Sequence, residues 1–245
     1  MAEAATLRKG VQGVIMRAYR ARDYEITVTG ARDVGPHYRR LSFAAPELLA
    51  AHPPYPTMWI RLWCPGPDRL YQRAFTLVDP DAEAGTFDIE FAMHDSGYAM
   101  DLARTAQPGD VVGVSVLTRD DYVAPEPMPP GFVMVADPAS LPAVNSVLAS
   151  LPDEVAVRLW FGRQHPEDEQ LPIVPHPGLQ VTWVPHEELT ARLREGVGGV
   201  AGWYGWVCVD TAQTRAIKEI LRAATGAGKR EGHAMGYWTR GRATG

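Results

Sequence analysis

The chain contains little cysteine and no long apolar run. Its 245 residues include two cysteines, Cys64 and Cys208, which are far apart and each lie in an apolar, strand-like stretch. That pattern argues against a disulfide framework and a paired-cysteine metal site, so we expect two buried thiols in a reducing cytoplasm. No stretch approaches the roughly 20 apolar residues that cross a bilayer, and the N-terminal residues show no signal-peptide pattern. We therefore expect neither a membrane span nor a secretion signal.

The sequence also lacks an excess of positive charge. Its 24 Lys and Arg stand against 29 Asp and Glu, a net charge of −5, so binding to nucleic acid is not expected. The motifs GxGxxG, HExxH and GxSxG are absent, as is any Cys/His cluster with metal-ligand spacing. These absences argue against a protein-bound metal and against a serine hydrolase.

The chain does have the composition of a globular protein with a core. It is 46% hydrophobic and 22% charged, and its length suits one large domain or two of ordinary size. The first half contains short strand-like stretches separated by turn residues, and a helical pattern follows at residues 97–110. This arrangement predicts a small antiparallel β-barrel. The strand-like stretches are residues 24–34, 37–45, 58–66, 73–80, 86–94 and 111–117.

The second half begins after a proline-rich linker. Residues 120–131 contain four prolines, which resist both helix and central strand. Beyond them, apolar strands at 132–137, 155–162, 179–185 and 205–210 alternate with helices at 138–151, 187–196 and 211–228. The alternation predicts a parallel sheet with helical crossovers. The predicted fold class is therefore an α+β two-domain protein, with a β-barrel domain at 1–125 followed by an α/β domain at 126–245.

Four motifs in order carry a resemblance to a known family. They are residues 73–76 (RAFT), 87–94 (FDIEFAMH) with 97–99 (GYA) and 106–110 (AQPGD), 136–143 (ADPASLPA), and 236–241 (GYWTRG). With these motifs the chain resembles, over about residues 24–242, the siderophore-interacting proteins, which are FAD-containing ferric-siderophore reductases of the ferredoxin-reductase-like superfamily. The resemblance implies that the barrel binds FAD and that the α/β domain is NAD(P)-binding-like.

The resemblance assigns the head of one strand to FAD. Arg73 would bind an FAD phosphate, since a guanidinium fork matches phosphate oxygens; otherwise it is a surface arginine at a strand start. Phe75 would stack on the flavin ring, and Thr76 would bond to the ribityl chain or a ring nitrogen, although a β-branched residue also simply favours a strand. Val78 stands where a second arginine is common in the family.

The next motif places a phosphate site at a helix N-terminus. His94, Gly97, Tyr98 and Ala99 lie where a strand ends and a helix begins, so the resemblance implies that they contact the FAD pyrophosphate. Taken alone, such a histidine is more often structural or exposed. The sequence departs from the family pattern here, because Met100 replaces a serine.

The α/β half provides a weaker nicotinamide site. Asp137, Leu141 and Asp210 are the cofactor-binding candidates by resemblance, and Asp137 follows a buried strand, where such folds bind ligands. Pro138 replaces a carboxylate of the family pattern, which weakens the expectation for NAD(P)H and leaves a ferredoxin as another electron donor. Arg163 and His165 either meet an adenosine phosphate or are solvated loop residues. Trp238 either packs near the flavin or anchors the C-terminal segment.

A basic cluster near the C-terminus is the substrate-binding candidate. It consists of Lys229, Arg230, Arg240 and Arg242, and it either receives an acidic ferric siderophore or is a solvated tail.

The sequence therefore predicts a cytoplasmic oxidoreductase that passes electrons from NAD(P)H through FAD to Fe(III) in a siderophore, releasing Fe(II). One alternative is a non-catalytic or cofactor-weakened binding protein on the same scaffold. A second is a flavin reductase with another acceptor. The first alternative is favoured by departures from the family motifs at Phe75, Val78, Met100, Leu117 and Pro138.

Overall fold

The computed structural model describes residues 8–18, 21–117, 122–228 and 231–240. The described residues form two compact units. The first ends before residue 118 and the second begins at Tyr122. Within the described ranges, no helix is both long and apolar enough to cross a bilayer. The assignment of FAD to 1–125 and of a nucleotide to 126–245 stays a prediction.

The first unit is a strongly bent antiparallel sheet with three helices. Its elements are α1 (Gly10–Ala18), β1 (Arg22–Gly35), β2 (Tyr38–Ala44), α2 (Pro46–Ala51), β3 (Trp59–Pro65), β4 (Leu70–Thr76), β5 (Val78–Asp81), β6 (Thr86–Ala92), α3 (Tyr98–Thr105) and β7 (Val111–Val116). The strand order is β4-β3-β7-β1-β2-β6-β5. Strands β4 and β6 also approach one another, so the sheet curls into a half-barrel.

The core of the first unit follows from alternation along its strands. In β2 and β6, every second residue points inward, and the paired residues Phe43 and Phe87 are both fully buried. Helix α3 covers one side with Ala99, Met100 and Ala103, the buried face of its helical repeat. Each large side chain buried in this way contributes about 1.5–3 kcal/mol. The packing fixes the position of α3 relative to the sheet.

A charged cluster crosses the sheet on the opposite face of β2 and β6. Arg40 pairs with Glu90 across the strands, with Nε 2.8 Å from Glu90 Oε1, and its Nη1 lies 2.9 Å from Asp79 and 3.3 Å from Asp88. Burial alone would lower the pKa of Arg40, but these carboxylates raise it overall. The guanidinium therefore stays charged and joins β2 to β5 and β6.

The second unit is a parallel sheet covered by helices. Its elements are β8 (Gly131–Ala136), α4 (Leu141–Ser150), β9 (Ala156–Arg163), β10 (Leu179–Pro185), α5 (Leu189–Gly196), β11 (Tyr204–Asp210), α6 (Thr211–Thr225) and β12 (His233–Trp238). All four strand pairs are parallel, in the order β10-β9-β8-β11-β12. All six residues of β8 are buried, because the strand lies at the centre of a sheet covered on both faces. The order of connection reverses between β8 and β11, the position where such sheets bind ligands.

The predicted fold class is confirmed, since an antiparallel half-barrel precedes a parallel α/β sheet. The buried thiols of Cys64 and Cys208 are also confirmed. Helix α6 ends at Gly226, which takes a φ of 77°. The strand expected at 73–80 divides at Leu77 into β4 and β5. The sequence patterns did not predict α1, α2 or β12.

Candidate functional site

Strand β4 carries three candidate residues, two of them on one face. Arg73 and Phe75 are two positions apart, so they share a face of the sheet, while Thr76 lies on the other face and is buried. Pairing with β3 fixes the register, with Arg73 opposite Leu62 and Phe75 opposite Ile60. The first three residues proposed to bind FAD are thus held on a paired strand, not on a loop.

Arg73 is half-buried with an incompletely used guanidinium. Its Nη1 donates to the Gln72 carbonyl at 2.6 Å, and within the described residues no carboxylate forms an ion pair with it. Burial lowers the pKa of Arg73 from its ordinary value, with Cys64 and Tyr98 close enough to oppose that effect. A half-buried cation that lacks a carboxylate is suited to an anionic ligand such as a phosphate.

Phe75 and Thr76 lie beside the core. The Phe75 ring packs on Phe91 with centroids 4.6 Å apart and planes at 49°. This contact leaves the Phe75 ring half-buried and half in reach of solvent. Thr76 pairs with Trp59 of β3. The flavin contacts assigned to the two side chains stay predictions.

The N-terminus of α3 is open to an anion. Gly97 precedes the helix with a φ of 129°, a conformation that favours glycine, and no side chain of the described residues caps the helix. The first backbone amides, including those of Tyr98 and Ala99, therefore point outward without a side-chain acceptor. The ring of Tyr98 packs on the ring of Tyr71 in β4, with centroids 4.5 Å apart. This contact brings the helix end close to the strand that carries Arg73.

His94 lies directly at this helix end. An alanine Cβ at position 97 would lie 3.5 Å from His94 Cε1, and the His94 carbonyl accepts a hydrogen bond from Arg104. The imidazole is exposed. Met100, in contrast, is buried in the core and offers nothing to a ligand. The structure thus brings Arg73, Tyr98, Gly97 and His94 into one neighbourhood of the first unit.

The second unit has a buried acidic cluster at the carboxyl edge of its sheet. Asp137 follows β8 and Asp210 ends β11, so the two carboxylates flank the reversal point of the sheet. His186 lies between them, with Nε2 3.2 Å from Asp210 Oδ2 and Nδ1 4.0 Å from Asp137 Oδ2. Burial raises the pKa of Asp137 to about 6, although its bond to Trp238 and the charge of His186 oppose the shift.

Trp238 is anchored in this cluster. Its Nε1 donates to Asp137 Oδ2 at 2.7 Å, and its ring lies 5.4 Å from that of His186. Thr211 Oγ1 donates to the Trp238 carbonyl at 3.0 Å. Of the two roles foreseen for Trp238, the anchor of the C-terminal segment is the one that these contacts support.

Aspartates accept hydrogen bonds from backbone amides at the turn before α4 and at the start of α6. Asp137 accepts a hydrogen bond from the Ala139 amide at 3.0 Å, at the turn that leads into α4. Asp210 accepts from the amides of Ala212 and Gln213 at 2.9 and 3.1 Å, at the start of α6. At α6 a carboxylate thus holds amides of the kind that a dinucleotide pyrophosphate would use, whereas no side chain of the described residues caps α4.

The remaining candidates lie apart from this cluster. The Leu141 side chain is fully buried in the core, so a cofactor could meet only its backbone. Arg163 is 3.2 Å from Glu169, which makes it part of an ion pair in its own loop. Arg240 is exposed at the end of the described chain, and Lys229, Arg230 and Arg242 lie outside the described residues.

Sequence reasoning missed His186 and Gln213. Gln213 Nε2 lies 3.1 Å from His186 Nε2 and donates to the His186 carbonyl at 3.0 Å, while Thr190 binds the Gln213 amide oxygen at 2.7 Å. A single histidine after a strand matches no recognised sequence motif. The sequence signal available was its position at the carboxyl end of β10, the same edge as Asp137 and Asp210.

Two family models match the chain in separate ranges. Residues 37–116 match the siderophore-interacting FAD-binding domain, and residues 129–241 match the siderophore-interacting protein model. Together these ranges take in both units. The chain belongs to the siderophore-interacting protein family. Its first unit therefore corresponds to the FAD-binding domain of that family.

Curated relatives of this siderophore-interacting protein include parts of much longer chains. The mycobactin import ATP-binding/permease protein IrtA of Mycolicibacterium smegmatis is 32% identical over 248 residues, covering 98% of this chain and 28% of the relative. IrtA of Mycobacterium tuberculosis is 32% identical over 246 residues with the same coverage, 98% and 28%. The chain thus spans less than a third of the length of these relatives.

Solved structures agree with the fold. The siderophore-interacting protein SipS of Aeromonas hydrophila matches with a TM-score of 0.75 at 26% identity, covering 91% of this chain and 93% of that one. A siderophore utilization protein of T. fusca has a TM-score of 0.79 at 24% identity, over 91% and 94% of the two chains. The cytochrome P450 reductase GcoB of Amycolatopsis has a TM-score of 0.68 at 19% identity, covering 91% of this chain and 71% of that one. It has the same two-domain fold.

Proposed function

We propose that the protein is a cytoplasmic FAD-dependent reductase that reduces Fe(III) held by a siderophore and releases Fe(II). The observation that carries the proposal is the pairing of a half-buried Arg73 without a carboxylate with an uncapped helix N-terminus at Gly97. Both features are arranged for an anion, and both lie in the unit that corresponds to the FAD-binding domain.

The residues of the first unit fit FAD. Arg73 would hold a phosphate by charge-assisted hydrogen bonds, and the amides at the start of α3 would hold the pyrophosphate. Phe75 offers an aromatic face and Thr76 a hydroxyl to the flavin end. When bound, FAD supplies the redox chemistry, linking a reduced donor to the one-electron reduction of the ferric ion. The protein orients the cofactor and neutralises its charge.

The electron donor is either NAD(P)H or a reduced ferredoxin. Because Asp210 already accepts from the first amides of α6 and Asp137 from the amide of Ala139, NAD(P)H would have to be held by other groups of the second unit, such as the uncapped start of α4. That occupation favours a protein donor, which needs no such amides. Steady-state assays with NADH, NADPH and reduced ferredoxin at equal electron equivalents separate the two.

The substrate is proposed to be an acidic ferric siderophore. Lys229, Arg230, Arg240 and Arg242 would supply positive charge near the C-terminus, in a chain whose net charge is −5. The mycobacterial relatives carry mycobactin import in their names. That naming supports an imported ferric chelate as the class of substrate.

The first experiment is to measure flavin content and then electron transfer. The purified protein is expected to be yellow, or to become so with added FAD, and to reduce a ferric siderophore when Fe(II) is trapped by a coloured chelator. A protein that binds no FAD would disprove the proposed function. Flavin reduction without iron release would instead identify a flavin reductase with another acceptor.

A second candidate is a siderophore-binding protein with a weakened cofactor site. The specific observation in its favour is that Met100, at the position of a phosphate-binding serine, is buried and contributes nothing to a ligand. Binding of a ferric siderophore with no FAD affinity would favour this candidate over the reductase.

A further inference from the structure

Helix α1 carries apolar residues on a face that points away from the sheet. Val11 and Val14 are 68% and 56% exposed, and Ala18 is exposed one turn further along. Positions three and four residues apart share one side of a helix, so the three side chains form a single stripe. A surface helix of a globular protein normally turns such a stripe toward the core. The apolar stripe of α1 therefore faces solvent where a covering surface is expected.

Contacts on the other sides of this segment fix its orientation. The Lys9 ammonium lies 2.7 Å from Asp23 Oδ2, which ties the start of α1 to the start of β1. The Leu70 amide donates to the Arg8 carbonyl at 3.1 Å, which ties the same segment to the start of β4. Gly13 is buried. Turning the stripe toward the sheet would break these contacts, so its outward direction belongs to the fold.

Cations lie beside the apolar stripe. Arg8 and Arg22 are exposed, and the ion pair of Lys9 brings the chain segments that carry them together. Arg69 lies alongside, with its Cδ 3.3 Å from the position of a Cβ added to Gly10. Among the described residues, no carboxylate forms an ion pair with any of these three arginines. Their charge is therefore available to an anionic surface.

The charge of this region differs from that of the whole chain. Residues 8–22 contain five Lys or Arg and no Asp or Glu, although the chain has a net charge of −5. A basic helix with an apolar face is typical of a segment that lies in a membrane interface, with apolar side chains at the acyl chains and cations at the headgroups. Charge complementarity therefore favours an anionic lipid surface as the occupant.

A second copy of the chain is a poorer occupant of this face. Two such helices placed against each other would bring like charges together, which opposes association. Two valines and one alanine also offer much less than the roughly 800 Å² per partner of a standard protein interface. A lipid surface has neither disadvantage, because it adapts to the side chains and supplies the opposite charge.

We infer that α1 docks the protein on an anionic lipid bilayer, with Val11 and Val14 at the acyl chains and Arg8, Arg22 and Arg69 at the headgroup phosphates. The inference goes beyond the proposed function and does not depend on it. Docking of this kind holds a protein at a membrane surface through one helix face, and high salt weakens it.

The test is co-flotation of the full chain with lipid vesicles. One set of vesicles contains phosphatidylcholine alone, and the other contains equal parts of phosphatidylcholine and phosphatidylglycerol. Two double variants separate the apolar from the charged part of the surface: Val11→Ser with Val14→Ser, and Arg8→Gln with Arg22→Gln. Each protein is first shown to be folded by its circular dichroism spectrum.

Two further double variants are the matched controls. Val111→Ser with Val123→Ser removes two valines that are 61% and 70% exposed outside α1. Arg32→Gln with Arg194→Gln removes two exposed arginines, one in β1 and one in α5, and so makes the same change in net charge.

We expect the unmodified chain to bind the anionic vesicles at least about tenfold more strongly than the neutral ones, because each cation near an anionic surface adds to the affinity. The two α1 variants should each weaken binding to anionic vesicles at least about fivefold, one through lost apolar burial and the other through lost charge. The two controls should bind like the unmodified chain.

Other outcomes would overturn the inference. One is that the unmodified chain binds no anionic vesicles, and another is that a control loses as much binding as its matched variant. Unchanged binding of the valine variant would show attraction by charge without contact of α1 with the acyl chains. If the valine variant instead converted a dimer into a monomer in light scattering, the face would belong to a second copy. In each case the proposed function would stand, since flavin content and iron reduction test it separately.

Discussion

At the scale of single residues, Arg73 is the side chain on which the proposed cofactor site depends most. We expect Arg73→Ala to weaken FAD binding by about 1.5–3 kcal/mol, because a charge-assisted contact to phosphate is lost. Arg73→Lys should recover part of the loss, since lysine keeps the charge without the fork. The measurement is a fluorescence titration with FAD.

The control for this variant is Arg32→Ala. Arg32 is an exposed arginine of β1, so its removal changes the charge of the same unit without touching β4. FAD affinity that is the same in Arg73→Ala as in the unmodified chain would exclude Arg73 from the site.

Asp137 is the residue with the clearest pH dependence. Its folded pKa of about 6 lies above the ordinary 3.8, so the folded state favours the protonated form. The stability that Asp137 contributes is therefore fully present below about pH 4 and is lost as the pH rises to about 6. Asp137→Asn should remove this dependence, on the order of 1–3 kcal/mol, because asparagine has no titratable charge; its single amide oxygen keeps only one of the two acceptor contacts.

The readout is hydrogen-exchange protection of the β8 and β11 amides between pH 4 and 7.5, corrected for intrinsic exchange. The difference between the two proteins should grow as the pH rises. A difference that stays constant over the range would show that Asp137 does not titrate there.

At the scale of the element, the backbone conformation of Gly97 and the open N-terminus of α3 belong together. Gly97→Ala places an alanine at a φ of 129°, which should cost about 1–3 kcal/mol of stability. It should also weaken FAD binding. Gly109→Ala is the matched control, since Gly109 has a φ of 96° and open space around it, away from the helix N-terminus. We expect Gly109→Ala to lower thermal stability but not FAD affinity.

Strand β12 is held against α6 by a close approach at Gly236. An added Cβ there would lie 2.6 Å from Thr211 Oγ1 and 3.0 Å from its Cα, so Gly236→Ala should displace β12 and break the Trp238–Asp137 hydrogen bond. Hydrogen exchange in residues 233–238 should rise by at least about tenfold. Gly198→Ala, where nothing lies within 4 Å, should leave exchange unchanged.

Sequence patterns predicted the elements whose environment is periodic. The alternation in β2 and β6 and the unbroken apolar run of β8 each reflect burial that repeats along the strand. Strand β12 was missed because its pairing with β11 depends on tertiary placement; its own residues are only partly buried. Helix α2 has six residues, too few for a helical repeat to emerge.

The candidate site was predictable where a motif carries it. Arg73 stood out through the RAFT motif of the family resemblance, and Gly97 because strand, turn and helix signals surround it. His186 did not, because the carboxyl edges of β8, β10 and β11 are brought together only by the order of the parallel sheet. The self-capping by Asp210 was likewise invisible, since an aspartate before a helix is equally suited to a cap or to a ligand.

At the scale of the whole molecule, the two units share a lack of reactive sulfur. Cys64 and Cys208 are both fully buried, and burial raises the pKa of Cys64 to about 12. A thiol reagent such as DTNB should therefore label neither cysteine in the native protein and both after unfolding. Rapid labelling of the native chain would contradict the burial, and reducing agents should not alter its thermal stability.

The charged cluster around Arg40 changes how the departure from the family pattern at Val78, in β5, is interpreted. The family pattern has an arginine where this chain has Val78, and position 78 considered alone suggests a lost charge. Yet Asp79 and Asp88, the neighbour and the strand partner of Val78, are both met by a guanidinium that comes from β2. In this chain the positive charge beside Asp79 and Asp88 is therefore supplied by Arg40 of β2. Replacing Arg40 would leave the carboxylates of Asp79, Asp88 and Glu90 without this shared cation, so the charge balance around Val78 depends on a residue of another strand.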